Sequence, residues 1–345
     1  MGATKLFGSR GAAWAAAAVL LSGGPVWASD PPASVLQVPP VPADRPESGP
    51  MYATRTSTDR VGRIVARVEI NGRGPFRFVL DTGANRSAMS AATAEALQLV
   101  PAKGDVVSVH GVTGNAMLPV VEVARLQVGE LLFENQRLPV LPSAVFAGTD
   151  GILGVDSLQD ARIEVDFGRD RVTIRRSSGR RAERGYLVVT AGLQRGGLLL
   201  VDGQVGRVPV KAILDTGAER TLGNEALRAA LGQKALRPHE AVPTTVVGAT
   251  PQLAQALSFQ APAIDIGGAR LNNLTVSFGD LHVFNVWSML DEPALLIGMD
   301  MLGTLEKFVV DYSRREFHLK PVSSGRPTLH RCGNECNTRI PPPDA

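Results

Sequence analysis

Two short stretches of this chain carry the same four residues, Asp81-Thr82-Gly83-Ala84 and Asp215-Thr216-Gly217-Ala218. Each offers a carboxylate, a hydroxyl beside it, and two residues with almost no side-chain bulk. Two carboxylates brought within a few ångström of one another cannot both ionise easily. They share one proton, with one pKa lowered and the other raised. The ionised member of such a pair is a general base for a water molecule. The protonated member is a general acid toward the carbonyl oxygen that the water attacks. The outcome is addition of water to an amide, with neither a metal nor a covalent intermediate. Thr82 and Thr216 are placed to brace the two turns against each other. Gly83 and Gly217 allow a backbone path that a Cβ would block.

Chemistry of this kind needs both carboxylates delivered to one point, so the flanking elements matter. Apolar, strand-like runs lead into each aspartate: Phe76-Arg77-Phe78-Val79-Leu80 and Val210-Lys211-Ala212-Ile213-Leu214. At the same spacing of 134, Gly72 matches Gly206, Pro75 matches Pro209, Leu80 matches Leu214 and Leu97 matches Leu231. Arg86-Ser87 and Arg220-Thr221 continue the series. Further on, Ile152-Leu153-Gly154 is answered by Leu296-Ile297-Gly298. Likewise Ile163-Glu164-Val165-Asp166 is answered by Phe308-Val309-Val310-Asp311. Solenoid repeats recur every ~20–50 residues. A copy this long is instead a whole small domain.

Hydrophobic residues make up 44% of the chain, with 36 Gly and 24 Pro, a mixture that favours many short strands. The first copy begins near Val61 with a strand over 64–70, a turn at Asn71-Gly72 and the strand into Asp81. A Ser-capped helix is expected over 90–99. Strands 106–109 and 117–121 then flank a tip from His110 to Asn115. A strand–turn–strand over 163–174 closes the unit. The second copy follows the same order to Lys320, with a helix over 224–231 stopped by Gly232 and a hairpin tip at Gly248-Ala249-Thr250-Pro251. It adds a segment, Leu281 to Leu290, carrying Trp287 and Met289. That insertion is either a wall of a binding groove or a patch packed on its own lobe.

The ends of the chain read differently. Residues 1–28 have the form of a signal peptide: Lys5 and Arg10, an apolar run from Ala12 to Leu21, and a cleavage site after Ala28. The run is shorter than the ~20 residues a bilayer span needs, so no stable membrane anchor is expected. Export to the periplasm or outside the cell follows. Residues 29–60 form a Pro-rich spacer. Loss of the leader takes the net charge from +3 to +1, and no Lys/Arg block is interleaved with aromatics, so nucleic acid is not an expected partner. The basic run Arg175-Arg176-Ser177-Ser178-Gly179-Arg180-Arg181 reads as a solvated connection, and residues 177–184 are assigned to a linker. The tail, 321–345, holds the only two cysteines, Cys332 and Cys336, whose default in an exported protein is a local disulfide. No metal-ligand spacing occurs, the five histidines are scattered, and neither a metal nor a cofactor is expected.

The paired Asp-Thr-Gly-Ala turns, each followed by an apolar-apolar-Gly segment, resemble the aspartic peptidase pattern. The Ala after Gly is similar to retropepsins, and the likeness to retropepsin-like bacterial aspartic proteases covers about residues 61–320. The resemblance implies a mainly β fold: two homologous retropepsin/pepsin-like β-barrel lobes, 61–176 and 185–320, each with one short helix, related by a pseudo-twofold axis. It implies Asp81 and Asp215 as the catalytic pair, for which aspartic proteases are the standard example of split pKa values. Thr82, Gly83, Thr216 and Gly217 would support that pair. Gly111, Val112, Gly248 and Ala249 would lie at flap tips against a polypeptide substrate. Retropepsins usually pair two chains, whereas here both halves lie in one, so a monomer is expected. The rival reading is a peptide-binding or assembly module on the same scaffold, without turnover. Ala84 and Ala218 carry no hydroxyl to stabilise an ionised pair, so a working range less acidic than that of pepsin-like enzymes is expected.

Overall fold

The computed structural model describes residues 62–322 apart from 170 and 237–240, with residue 195 by its backbone alone. It also gives the backbone of four short strands: Ala12–Trp14, Leu20–Leu21, Ala53–Arg55 and Ser57–Thr58. The cleavage site after Ala28, most of the Pro-rich spacer, and Cys332 and Cys336 lie outside the described residues.

The fold is mainly β, in two lobes whose strands follow one recipe. In the first, the sheet order is Val106–His110, Asn115–Val128, Leu131–Leu141, Ala88–Ser90, Gly151–Leu153, Arg73–Leu80, Ile64–Ile70. In the second it is Val242–Val247, Leu253–Gln260, Thr275–Phe278, Leu222–Gly223, Ala294–Ile297, Val208–Leu214, Leu199–Val205. The seven positions correspond one to one, including the sense of pairing. Gly151–Leu153 runs parallel to the strand entering Asp81, and Ala294–Ile297 runs parallel to the strand entering Asp215. At the ends of these strands residues 78–80 and 212–214 are buried without alternation, as expected of a parallel pair covered on both faces.

The closing strand pair does something other than complete its own lobe. Ala161–Asp166 pairs with Arg171–Arg176 on one side and with Lys307–Asp311 of the second lobe on the other. Glu316–Lys320 and Leu187–Thr190 extend this six-stranded sheet, which both lobes share. Ile163 and Val310 face each other across the lobe boundary and are both fully buried. Burial of an aliphatic side chain contributes about 1.5–3 kcal/mol. Separating the lobes would expose a row of them. Arg162 and Asp311, also buried, form an ion pair of 3.0 Å across the same boundary.

Smaller differences from expectation have local causes. The first helix, Ala91–Ala96, is capped by Ser90 as expected but ends early, because Gln98 takes a left-handed backbone at φ 58. The second, Glu225–Ala235, starts after the cap Asn224, breaks its helical backbone at Gly232 and adds one more turn. The second lobe has two further short helices, His282–Val286 and Met299–Leu302. Arg175 and Arg176 belong to a strand, not to the connection that follows. In the insertion, Leu281, Val283, Phe284, Trp287 and Met289 are all buried in the common core.

Gly154 and Gly298 sit where a parallel strand leaves the floor of each aspartate turn, with extended backbones that any residue adopts. Their need for glycine is space: a Cβ at Gly154 would lie 2.5 Å from the carbonyl carbon of Arg86, and one at Gly298 2.7 Å from that of Arg220. Gly154→Ala is therefore expected to destabilise the fold by about 1–3 kcal/mol. Urea unfolding with an unchanged slope would show this as a lowered midpoint.

Candidate active site

The two Asp-Thr-Gly turns meet at the boundary between the lobes. Their hydrogen bonds are reciprocal. Thr82 Oγ1 donates to Leu214 O at 2.5 Å and accepts from Thr216 N–H at 3.1 Å. Thr216 Oγ1 donates to Leu80 O at 2.6 Å and accepts from Thr82 N–H at 3.1 Å. Each threonine thus satisfies backbone groups of the opposite lobe, which burial would otherwise leave unpaired at a cost of ~1–3 kcal/mol each. The glycines explain the closeness of the carboxylates. A Cβ on Gly83 would lie 2.3 Å from Cγ of Asp215, and one on Gly217 2.3 Å from Cγ of Asp81. Neither residue has a positive φ. Glycine is needed there because the opposite aspartate packs directly on it, not because the chain takes an unusual path.

Within each turn the inner oxygen is held by backbone. Asp81 Oδ1 accepts from Gly83 N–H at 2.9 Å. Asp215 Oδ1 accepts from Gly217 N–H at 2.8 Å and from Ala218 N–H at 3.1 Å. The outer oxygens, Oδ2 of both residues, are buried and have no hydrogen-bond partner. Both carboxyls are wholly shielded from solvent. Burial, and then the Asp215 charge beside it, raise the Asp81 pKa well above the usual carboxylate range. Burial also pushes Asp215 up to about 6, against the opposing pull of its contact with Asp81, the Gly217 and Ala218 amides and the Arg63 charge. Arg63, itself buried, donates to Phe146 O at 3.2 Å, and its charge lowers the pKa of both aspartates. A pair so placed keeps one proton near neutral pH.

The floor of the site is as symmetric as its centre. Asp81 N–H donates to Leu153 O at 3.0 Å and Asp215 N–H to Ile297 O at 2.8 Å. Two further carboxylates, absent from the sequence reading, fasten this floor. Asp156 accepts from the hydroxyl and the amide of Ser87 at 2.7 and 2.9 Å. Asp300 accepts from the hydroxyl and the amide of Thr221 at 2.7 and 3.1 Å. The signal was present as Gly154-Val155-Asp156 and Gly298-Met299-Asp300, an aspartate two residues past each floor glycine.

The predicted tip residues form the roof. The tips of the two hairpins touch each other: Thr113 Oγ1 and Thr250 Oγ1 are 3.3 Å apart, and Gln252 Nε2 donates to Asn115 O at 2.8 Å. Val112 and Ala249 are buried. One apolar cluster joins Ala84 of the first turn, Val109 of the first hairpin and Ala249 of the second tip. The insertion also reaches the roof, where Val283 N–H donates to Val112 O at 3.3 Å. Among the described residues no group of three or more His, Cys, Asp or Glu is arranged to hold a metal.

The sequence model of a family described as "Aspartyl protease" matches the chain twice, over residues 66–157 and 201–301. Each match contains one Asp-Thr-Gly turn with its apolar-apolar-Gly floor. None of the curated proteins compared with the chain matches it.

Two stability measurements follow from this geometry. Thr82→Val leaves Leu214 O and Thr216 N–H without partners and is expected to cost ~2–5 kcal/mol, whereas Thr82→Ser, which keeps the hydroxyl, is expected to cost far less. Urea unfolding of the two variants side by side checks it. The aspartates supply the second. Their folded pKa values lie above the unfolded ones, so the native state binds more protons, and stability falls as pH rises through the folded values. Asp215→Asn is therefore expected to raise the unfolding midpoint at about pH 8 and leave it nearly unchanged at about pH 4.

Proposed function

The chain belongs to the aspartyl protease family, retropepsin-like with two tandem lobes, and from that premise we propose that it is an endopeptidase whose catalytic pair is Asp81 and Asp215. The observation that carries this reading is the pair itself: two carboxyls from symmetry-related turns, each packed on the other's glycine, with their outer oxygens buried and unpartnered.

The mechanism assigns a role to each part. Asp215 receives two backbone N–H groups on its inner oxygen and Asp81 one, so the negative charge of the singly protonated pair is favoured on Asp215. The ionised carboxylate draws a proton from a water held between the outer oxygens as that water attacks the scissile carbonyl carbon. The protonated carboxyl donates to the carbonyl oxygen, giving a neutral tetrahedral diol. Asp215 then returns its proton to the leaving nitrogen while Asp81 takes one from a diol hydroxyl, so the C–N bond breaks, the product carboxyl forms and the singly protonated pair is restored. The hydrogen bonds of Thr82 and Thr216 hold the two carboxyls in register throughout, and the hairpins exclude solvent once substrate is bound. Substrate is a polypeptide segment long enough to lie beneath both hairpins. The apolar leader supports export, and both halves of the site in one chain support action as a monomer.

Asp81→Asn and Asp215→Asn are each expected to lower kcat/KM by at least ~10²–10⁴ while the fold survives. Incubation with a mixed peptide library across pH checks this. Cleavage in either variant at the rate of the parent protein would leave a binding module as the better reading. The pH profile of the parent is expected to be bell-shaped. Its acid limb reflects ionisation of Asp215, whose pKa burial raises, and its alkaline limb loss of the proton from Asp81, so its optimum lies well above pH ~2.

A further inference from the structure

Two histidines that the chain places 172 residues apart meet at the edge of the roof. His110 ends the strand Val106–His110 of the first hairpin, and His282 begins the helix His282–Val286 in the second lobe. His110 Nδ1 and His282 Nε2 are 3.0 Å apart, with the ring planes 13° from parallel and the centroids separated by 5.3 Å. Such centroids are too far apart for face-to-face stacking and suit an in-plane N–H···N hydrogen bond. The other nitrogen of His110, Nε2, lies 3.2 Å from Ser108 Oγ. One residue from His282, Val283 N–H holds Val112 at the hairpin tip.

A hydrogen bond between two imidazoles needs one donor and one acceptor. It survives with both rings neutral or with one charged. With both charged, two N–H groups face one another and two positive charges repel at close range. The groups around the pair offer no compensation. The hairpin presents Ser108, and Asn115 opposite His110; Asp280 precedes His282 by two residues. Among the described residues no carboxylate pairs with either ring, and the His110 charge acts on His282.

We propose that His110 and His282 form a proton-operated latch, which holds the first hairpin against the second lobe near neutral pH and releases it when both rings are protonated. Burial, and then the His110 charge, hold the His282 pKa below its ordinary value. The sign follows. A depressed imidazole contributes stability to the closed form above its unfolded pKa, and that contribution is lost as pH falls through the folded value. The latch therefore stays shut through the upper part of the histidine range and opens at its acid end. Release uncovers Val112 and, with it, the route to the aspartates.

Hydrogen exchange of the full chain, corrected for intrinsic rates at each pH, tests this without reference to catalysis. In the parent protein, protection over residues 108–116 and 281–287 is expected to fall about tenfold or more between about pH 7.5 and 5, while the shared sheet at Ala161–Asp166 stays protected. In His282→Gln and His110→Gln, which keep a neutral hydrogen-bonding group, protection of both segments is expected to be independent of pH. The dependence must persist in Asp81→Asn/Asp215→Asn, which removes titration of the carboxyl pair as its source. Constant protection in the parent overturns the latch, as does a pH dependence that survives either glutamine variant or vanishes in the asparagine variant. Should a glutamine variant fail to fold, as loss of protection at Ala161–Asp166 would reveal, the parent's own profile still decides. A latch that fails leaves the hydrolytic reading untouched, since no arm measures cleavage.

Discussion

Everything in this molecule depends on two turns being pressed together so closely that each carboxylate rests on the other's glycine. Two carboxylates repel and resist desolvation, so they do not approach unaided. The threonine hydroxyls supply the attraction. Each donates to a carbonyl and accepts from an amide of the opposite lobe, four bonds, two of them short, in a region closed to water. Because the lost alternative is a set of buried unpaired backbone groups, the arrangement is nearly all-or-none. The floor then fixes each turn within its own lobe through a parallel strand, a glycine that tolerates the close carbonyl, and a half-buried aspartate.

The lobes are held from two further directions. Below, a shared six-stranded sheet buries Ile163 against Val310 and pairs Arg162 with Asp311. Above, the hairpin tips touch through Thr113, Thr250 and Gln252. The first set is a continuous hydrogen-bonded sheet with an apolar face; the second consists of a few polar contacts together with the apolar packing of Val109, Val112 and Ala249. That difference in strength divides the molecule into a rigid base and a cover that opens at lower cost.

Much of this was legible in the sequence, and the reason is duplication. A matched pair of turns, each with a strand before it and an apolar-apolar-Gly segment after it, constrains the fold more than any one motif. The seven shared strand positions follow that register. What escaped was pairing between the copies. Ile163 to Ile174 reads as the end of a unit, and nothing local says that its free edge will join the equivalent strand of the other copy. His110 and His282 read as scattered, since the helix that carries His282 is part of the insertion and has no counterpart to align it. Asp156 and Asp300 were readable as a matched pair, but two aspartates following glycines look like ordinary turn residues until their serine and threonine partners are seen.

Burial ties the cover to the chemistry beneath it. Desolvation is the leading cause of the raised pKa of both aspartates. The roof contributes to that burial through the cluster that joins Ala84, Val109 and Ala249. Parting the hairpins admits water, removes that contribution and returns both carboxyls toward their ordinary range, where the amides of Gly83, Gly217 and Ala218 and the charge of Arg63 favour the ionised form. Under the proposed latch, acid would act on the aspartates in two opposed ways: it supplies protons, and by opening the roof it makes them harder to retain. The single-proton state the chemistry needs is consequently a property of the roof's position as much as of the turns. On the proposed reading, the missing hydroxyls at Ala84 and Ala218 would set one part of the working pH. On the same reading, closure of the two hairpins over a peptide would set the rest.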